Sequence, residues 1–388
     1  MAGGSECRAI TASQTAHGYE ACPRSLTIAP NMHHNIVQKH RYQALALQIR
    51  TRSVGAVPDD SDARLRIREN IRRIDRLVGA SVAFIHRYSG DQTQLVVLPE
   101  YSLTGAPMTS SVEAWRRKAA FEPDGAEFEA LGAVANRHRL FLAGNAYEAD
   151  PNFPELYFQA SFLISPQGNV VLRYRRLISL FSPTPYDVWD RYLDLYGLEG
   201  VFPVADTPIG RVAAIASEEI LYPEIARCHA MRGAEIFIHS TSEMGMPIAT
   251  PKELARRARA AENLAYLVSA NAASVENTAL PASSTTGMSK IIDYEGRILA
   301  EAAAGAESMI ANATIDLPAL RARRRRTGLT NLLARQPFQA YAQSYAQTEF
   351  RPPNLLAETD KRHQLTRDML ERLQADDIDK LTSSLRLS

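Results

Sequence analysis

From residue 42 onward, short continuous apolar runs alternate with longer stretches in which apolar residues return every three or four positions. Leu95-Val96-Val97-Leu98 is the clearest of the runs, and fully apolar strands of this kind belong to sheets covered on both faces. Between Asp62 and Tyr88, Leu65, Ile71, Ile74, Leu77, Val78, Val82 and Ile85 recur mostly at three- and four-residue steps. That spacing predicts one long amphipathic helix.

The alternation then repeats. Runs at 44–49, 140–144, 159–164, 170–174, 211–216, 235–239 and 265–270 predict strands, and stretches at 127–138, 223–232 and 251–262 predict helices. Three further strand-like runs follow at 287–293, 297–301 and 309–315. Asp293-Tyr294-Glu295-Gly296 has the turn chemistry to make a hairpin of the first two. Strands alternating with helices argue for a layered α/β fold.

No Pro/Ser linker divides residues 42–317, so one large domain is expected there. Residues 1–41 mix Ser, Thr, Pro, His and Gly without a hydrophobic period and read as a loose N-terminal extension. Beyond Leu317 the chain becomes Arg-rich and then rich in Gln, Ala and Tyr, with Pro352-Pro353 before a last helical stretch around 358–385. Residues 318–388 are therefore read as a C-terminal extension, an arm used in oligomer formation.

Composition narrows the functional classes. A chain of 388 residues, 45% of them hydrophobic, can bury a large core. Its net charge of +1 gives no footprint for nucleic acid or an anionic membrane. The one basic run, Arg321 to Arg326, reads as decoration of a solvated helix or a subunit contact. Cys7, Cys22 and Cys228 are too few and too irregular for a disulfide framework or a tetrahedral metal site. Neither metal nor cofactor is expected, and a reducing, cytoplasmic compartment is the simplest home. No window reaches the roughly 18 apolar residues of a membrane-spanning helix.

Three places carry candidate chemistry. In Val96-Val97-Leu98-Pro99-Glu100-Tyr101, Glu100 follows a buried strand, where a carboxylate is partly stripped of water and accepts a proton more readily near neutrality. In Val170-Val171-Leu172-Arg173-Tyr174-Arg175-Arg176, Arg176 ends a strand with a positive charge. The third place is an apolar strand, Arg211 to Ala216, running into Ser217-Glu218-Glu219 and ending at Tyr222-Pro223-Glu224.

These three segments, in this order, resemble the active-site segments of the nitrilase (carbon-nitrogen hydrolase) superfamily. Arg259-Ala260-Ala261-Glu262-Asn263, the strand after it and the hairpin from Gly287 to Gly296 extend the resemblance over residues 42–317. It implies an α/β fold, a four-layer α-β-β-α sandwich that dimerises or builds larger homo-oligomers. It also implies hydrolysis of a non-peptide carbon–nitrogen bond in a small amide or nitrile. In the family's terms Glu100 stands at the general base, Arg176 where a lysine steadies the oxyanion, and Ser217 where a cysteine is the nucleophile. Arginine keeps the charge but presents a bulkier planar fork. The histidine that often follows the lysine is replaced by Ile178.

The neighbours of these residues complete the expectation. Glu219 matches the acid that members carry two residues past the nucleophile. Glu218 either supports Ser217 or points away across the turn. A serine hydroxyl normally needs a histidine or lysine as base, and His239, at the end of the next strand, is a candidate partner or a polar residue lining a strand end. Glu148 sits where members place an acid near the substrate. Asp187, Asp190 and Glu199 all lie where a second active-site acid is expected. Tyr101, Phe181, Tyr186, Trp189, Tyr192 and Met244 are candidate pocket aromatics and apolar residues. Three functions fit this pattern: an amidase or nitrilase-like hydrolase, a silent homologue binding an amide-like ligand or partner, or acyl transfer to an acceptor other than water.

Overall fold

In the computed structural model the described residues are 41–108, 110–179, 182–243, 250–347, 350–356 and 367–383. The expected N-terminal extension lies outside them, as do Phe181 and Met244. Elements are numbered in chain order. The first sheet contains β1 (Arg41–Ala46), β3 (Thr93–Val97), β5 (Phe141–Glu148), β6 (Phe158–Ile164), β7 (Val170–Arg175) and β15 (Asn312–Asp316), in the spatial order β15-β1-β3-β5-β6-β7. The short β4 (Ala120–Phe121) pairs with β5. The second sheet contains β8 (Ala205–Thr207), β9 (Gly210–Ala216), β10 (Ile236–Thr241), β11 (Tyr266–Asn271), β13 (Lys290–Ile292) and β14 (Ile298–Glu301), in the order β14-β13-β11-β10-β9-β8. A separate pair joins β2 (Thr51–Arg52) to β12 (Val275–Glu276).

The apolar runs feed two layers at once. On β1 and β3, Ala44, Ala46, Leu95 and Val97 face the second sheet, where Val212, Ala214, Ile236, Ile238, Val268 and Ile291 meet them. Their sequence neighbours Leu45, Val96 and Leu98 point the other way, onto α1 (Asp60–Ser89) and α3 (Ala126–His138). In the second sheet, Ala213, Ile215, Phe237 and Leu267 likewise face outward onto α5 (Pro223–Met231) and α6 (Pro251–Asn263). The strict two-residue alternation of strand side chains sorts each run between a sheet–sheet core and a sheet–helix core. The result is the expected order of layers, helix, sheet, sheet, helix.

Helix α1 is slightly longer than its predicted span and buries the predicted face except at Leu65. Asp59 accepts from the backbone of Ser61 at 2.7 Å and Asp62 at 3.4 Å, and Gly90 closes the other end at φ +77°. Such caps satisfy end groups that the helix itself leaves free. Ile67, Ile71, Ile74, Val78 and Ile85 form the buried face, whereas Leu65 is exposed. The first strand is also displaced, to Arg41–Ala46 from 44–49, because its backbone pairs from Arg41 with Asp316. The hairpin at 293–296 forms as expected, with Gly296 at φ +79°.

The remaining helices are α2 (Val112–Ala119), α4 (Trp189–Val201), α7 (Leu317–Arg325), α8 (Phe338–Ala346) and α9 (Arg367–Ser383). The Arg-rich run on α7 is not simply solvated. Arg321 pairs with Glu235 through two contacts of 2.6 and 2.9 Å, and Arg324 donates to the Leu264 carbonyl at 2.8 Å. These side chains tie α7 to the amino ends of the central strands β10 and β11. No helix of the described residues is long and apolar enough to cross a membrane.

Candidate active site

β3, β5 and β7 run in the same direction in the first sheet, as do β9, β10 and β11 in the second. The two sheets are stitched together at the carboxyl ends of β3 and β10. There the Ser240 hydroxyl donates to the Leu98 carbonyl at 2.8 Å and the Glu100 amide donates to the Thr241 carbonyl at 3.3 Å. Arg176 and Ser217 directly follow strands that end on this side, and Glu100 comes three residues after the end of β3. In layered α/β proteins, ligands characteristically bind at the carboxyl ends of strands.

Glu100 is almost completely buried, and each oxygen of its carboxylate has a partner. Oε1 accepts from Gln159 Nε2 at 2.7 Å and from Arg176 Nη1 at 3.4 Å, while Oε2 accepts from the Ser242 hydroxyl at 2.7 Å. Arg176 is buried beside it and uses its whole fork. Nη1 also donates to Gln159 Oε1 at 2.8 Å, Nε donates to the Ile178 carbonyl at 2.5 Å, and Nη2 is ion-paired with Glu218. Burial alone would lower the guanidinium pKa, but Glu100 and Glu218 outweigh it and hold the group charged.

Ser217 begins the turn after β9 at φ +46°, a left-handed conformation that side-chain-bearing residues seldom adopt. Strain of this sort persists only where the surroundings impose it, and two buried groups do so here. His239 Nε2 lies 2.8 Å from the Ser217 carbonyl, and its Nδ1 lies 2.8 Å from the Ser269 hydroxyl. Burial pushes the imidazole pKa well below the ordinary value, with nearby Arg256 adding to it. A neutral ring that donates from Nε2 and accepts at Nδ1 satisfies both contacts. His239 thus meets the backbone of Ser217, through its carbonyl.

Glu219 is the second group holding the turn. Its Oε1 accepts from the amides of Leu177 at 2.8 Å and Ile178 at 3.1 Å, and its Oε2 from the Tyr174 hydroxyl at 2.7 Å and the Ala216 amide at 3.2 Å. One carboxylate therefore joins the end of β7, which carries Arg176, to the end of β9, which carries Ser217. Complete burial pushes its pKa up to about 7 from 4.5, against the lowering effects of Arg176, Tyr174 and the two amides. When Glu219 is protonated, the Tyr174 hydroxyl can switch from donating to accepting.

A carboxylate raised in the folded state binds its proton more tightly there than in the unfolded chain. Its contribution to stability is complete below pH 4.5 and is lost as pH rises to 7, an interval worth about 3 kcal/mol. Chemical denaturation across pH 4.5–8 should show this slope in the native chain and a flatter one in Glu219→Gln. An equal slope in both would remove Glu219 as its source.

The other expected residues are distributed around this centre. Tyr101, at φ +63°, stacks on Tyr147 with ring centroids 6.3 Å apart, and burial followed by the charge of Glu100 drives its phenol pKa strongly upward. Glu148 is wholly buried but faces the neighbouring arginines. It accepts from Arg175 Nε at 3.0 Å and Nη2 at 2.6 Å, and pairs with Arg173. Arg175 also meets Asp150 at 2.6 Å. Glu148→Gln should cost about 3 kcal/mol in denaturation experiments, because Arg175 keeps its buried charge and loses a charged acceptor. A cost below about 1 kcal/mol would mean that Asp150 alone compensates Arg175.

Asp187 accepts from Thr184 and pairs with Arg351, whereas Asp190 and Glu199 are exposed. Tyr186 packs edge-on against Trp189, and Tyr192 is buried with Phe153, Phe158, Val188 and Val201 in an apolar cluster of its own. Gln159 and Ser242, which touch Glu100 directly, carry no signal in the linear sequence. Gln159 lies inside a strand-like run and Ser242 just beyond another, and only the fold brings them to Glu100.

The chain is similar to known proteins over most of its length. Residues 51–325 match the family described as carbon-nitrogen hydrolase. The formamidase of Pseudomonas syringae pv. tomato is 27% identical over 225 residues, 58% of this chain and 60% of that enzyme. The formamidase of Bradyrhizobium diazoefficiens is 29% identical over 238 residues, 61% of this chain and 64% of the enzyme. The chain thus spans less than two thirds of the length of these curated relatives.

Among solved structures, Saccharomyces cerevisiae Nit3, a member of branch 10 of the nitrilase superfamily, superposes with a TM-score of 0.57 at 21% identity, covering 75% of this chain and 95% of Nit3. An amidase from Nesterenkonia sp. does so with a TM-score of 0.52 at 17% identity, covering 78% and 96%. These likenesses bear on the fold, and both neighbours share it. With the family match extending over residues 51–325, the chain belongs to the carbon-nitrogen hydrolase family.

Proposed function

We propose that this protein hydrolyses the carbon–nitrogen bond of a small amide, with Ser217 as nucleophile, Glu100 as general base and acid, and Arg176 as the cation facing the developing oxyanion. The observation that carries this reading is the buried Glu100–Arg176 contact, extended through Arg176 Nη2 to Glu218, the residue after Ser217. Base, cation and nucleophile turn thereby share one network. The curated relatives named as formamidases support a small amide as substrate. So does the Nesterenkonia amidase, in one variant of which the acetamide moiety of fluoroacetamide adds to the active-site cysteine.

In this reading Ser217 stands in place of such a cysteine, and Arg176 in place of a lysine. The Ser217 hydroxyl attacks the amide carbon and its proton passes to Glu100, while the carbonyl π electrons move onto oxygen. Arg176 stabilises that oxyanion through Nη2, the nitrogen directed toward the Ser217 turn. Collapse breaks the C–N bond as Glu100 returns the proton to the leaving nitrogen, leaving an ester on Ser217. Glu100 then takes a proton from water as the water oxygen attacks the ester carbon, and returns it to Ser217 Oγ as the C–O bond breaks, which releases the acid and restores both the serine and the Glu100 carboxylate.

The test is ammonia release from formamide, acetamide, longer aliphatic and aromatic amides and the matching nitriles, with Ser217→Ala as the blank. Turnover by the native chain that disappears in Ser217→Ala supports the proposal. Turnover that survives in Ser217→Ala refutes the assignment of the nucleophile. Silence across the panel, together with saturable binding of an amide, points to a homologue that binds its ligand without hydrolysing it.

A further inference from the structure

Gln159, the second residue of β6, is buried between the two charged groups of the site. Its side-chain Nε2 donates to Glu100 Oε1 at 2.7 Å, and its Oε1 accepts from Arg176 Nη1 at 2.8 Å. Its main-chain carbonyl accepts from the Arg176 amide at 3.0 Å, so Gln159 grips Arg176 at both backbone and side chain. An amide has one donor end and one acceptor end. Here the donor meets the carboxylate and the acceptor meets the guanidinium, and the reversed orientation would oppose like partners on both sides.

The two oxygens of Glu100 are consequently unequal. Oε1 takes close donors from both Gln159 and Arg176, whereas Oε2 takes one from Ser242, and the Tyr101 hydroxyl also hydrogen-bonds the carboxylate. A carboxylate oxygen carries two lone pairs, so with Oε1 filled by Gln159 and Arg176 the capacity left to Glu100 lies on Oε2. We propose that Gln159 is a positioning residue that occupies Oε1 of Glu100, holds Arg176 in register with it, and so makes Oε2 the atom that accepts the proton. In the attack step the proton leaves Ser217 Oγ for Glu100 Oε2 as the oxygen electron pair forms the bond to carbon. This inference rests on the hydrolase reading given above.

Two variants separate the ends of the amide. Gln159→Met keeps length and apolar bulk but removes the side-chain hydrogen bonds to Glu100 and Arg176, along with a long one of 3.5 Å to Asn145 Oδ1. Gln159→Glu keeps an acceptor for Arg176 and sets a second carboxylate against Glu100. In Gln159→Met, kcat should fall about 10²-fold, the scale on which misplacement of a reacting group is felt, while KM stays within about threefold. The acid limb of the kcat/KM profile should move to higher pH, since the carboxylate has lost a donor that favours its charged form. The movement should be larger in Gln159→Glu. A merely structural role would lower kcat without moving the acid limb, and that result overturns the proposal, as does activity within threefold of native in both variants.

A readout independent of turnover keeps this inference distinct from the hydrolase reading. The crystal structure of Gln159→Met should show the Glu100 carboxylate or the Arg176 guanidinium turned away from its native position. If the native chain hydrolyses nothing in the panel but this rearrangement is seen, the hydrolase reading fails and the positioning role stands. If both groups stay in place, the positioning role fails whatever the activity. Should Gln159→Met not fold, the same two measurements on Gln159→Glu decide.

Discussion

Glu100→Gln should lower kcat/KM for the best amide substrate by about 10²–10⁴-fold, the range over which a positioned general base contributes. Glutamine matches glutamate in size and keeps a carbonyl oxygen, so the cavity is preserved while the proton acceptor is lost. The three side-chain groups that hydrogen-bond Glu100 at 2.7–3.4 Å are all donors: Gln159 Nε2, Arg176 Nη1 and the Ser242 hydroxyl. A glutamine there has one oxygen to offer three donors, and its own amino group must meet one of them. Some loss of stability is therefore expected along with the loss of rate. Glu100→Asp separates the two effects, because it retains the charge while withdrawing the carboxylate by one methylene. Unfolding midpoints of the three chains, measured beside their rates, tell chemistry from folding. Retention of more than about a third of native activity in Glu100→Gln would exclude Glu100 as the base.

Ser217→Cys should raise turnover of the same amide, on the order of 10²-fold, or about 2–3 kcal/mol of barrier. The argument is one of acidity. A thiol ionises near 8.5 in water, within reach of a carboxylate base in a site carrying a guanidinium, whereas a serine hydroxyl must surrender its proton almost entirely in the transition state. Among the described residues His239 does not relieve that demand, since it is directed at the Ser217 carbonyl and its low imidazole pKa comes from burial. The exchange of oxygen for sulfur leaves the turn intact, as the φ of +46° is held by His239 and by Glu219 on the Ala216 amide. Single-turnover kinetics with an activated ester or amide would follow formation of the acyl-enzyme directly. Equal rates for serine and cysteine would mean that nucleophile ionisation does not limit the reaction. A slower cysteine variant would favour a site shaped around the hydroxyl.

Much of the fold was legible in the linear pattern because the forces behind it are local. Runs such as Leu95 to Leu98 read as doubly buried strands, the period of Ile71, Ile74, Val78 and Ile85 read as a helix face, and Asp293 to Gly296 read as a turn. Each rests on the side-chain geometry of a single element. Local reasoning erred where a longer-range partner decided the outcome. Leu65 has the right spacing for the buried face of α1 and is exposed, and β1 starts at Arg41 because β15 pairs with it from there. The arginines of α7 look solvated in sequence, yet Arg321 and Arg324 find acceptors on the second sheet.

By itself the sequence determined the layered α/β class, the order of the main core strands and of α1, α3, α5 and α6, and the three segments that end in Glu100, Arg176 and Ser217, but not α2 or α4. Tertiary structure alone decided what each charged side chain meets. Arg175 and Arg176 are neighbours in sequence, but one turns to Glu148 and Asp150 and the other to Glu100 and Glu218. Glu218 and Glu219 part in the same way, one onto Arg176 and the other into the turn that it braces. Gln159 reaches Glu100 across 59 residues through the pairing of β3, β5 and β6. The physical reason is common to all three cases. A side chain's type and its face on a strand are set within a few residues, but its partner is set by sheet register and by which sheet packs opposite, and those depend on contacts far apart along the chain.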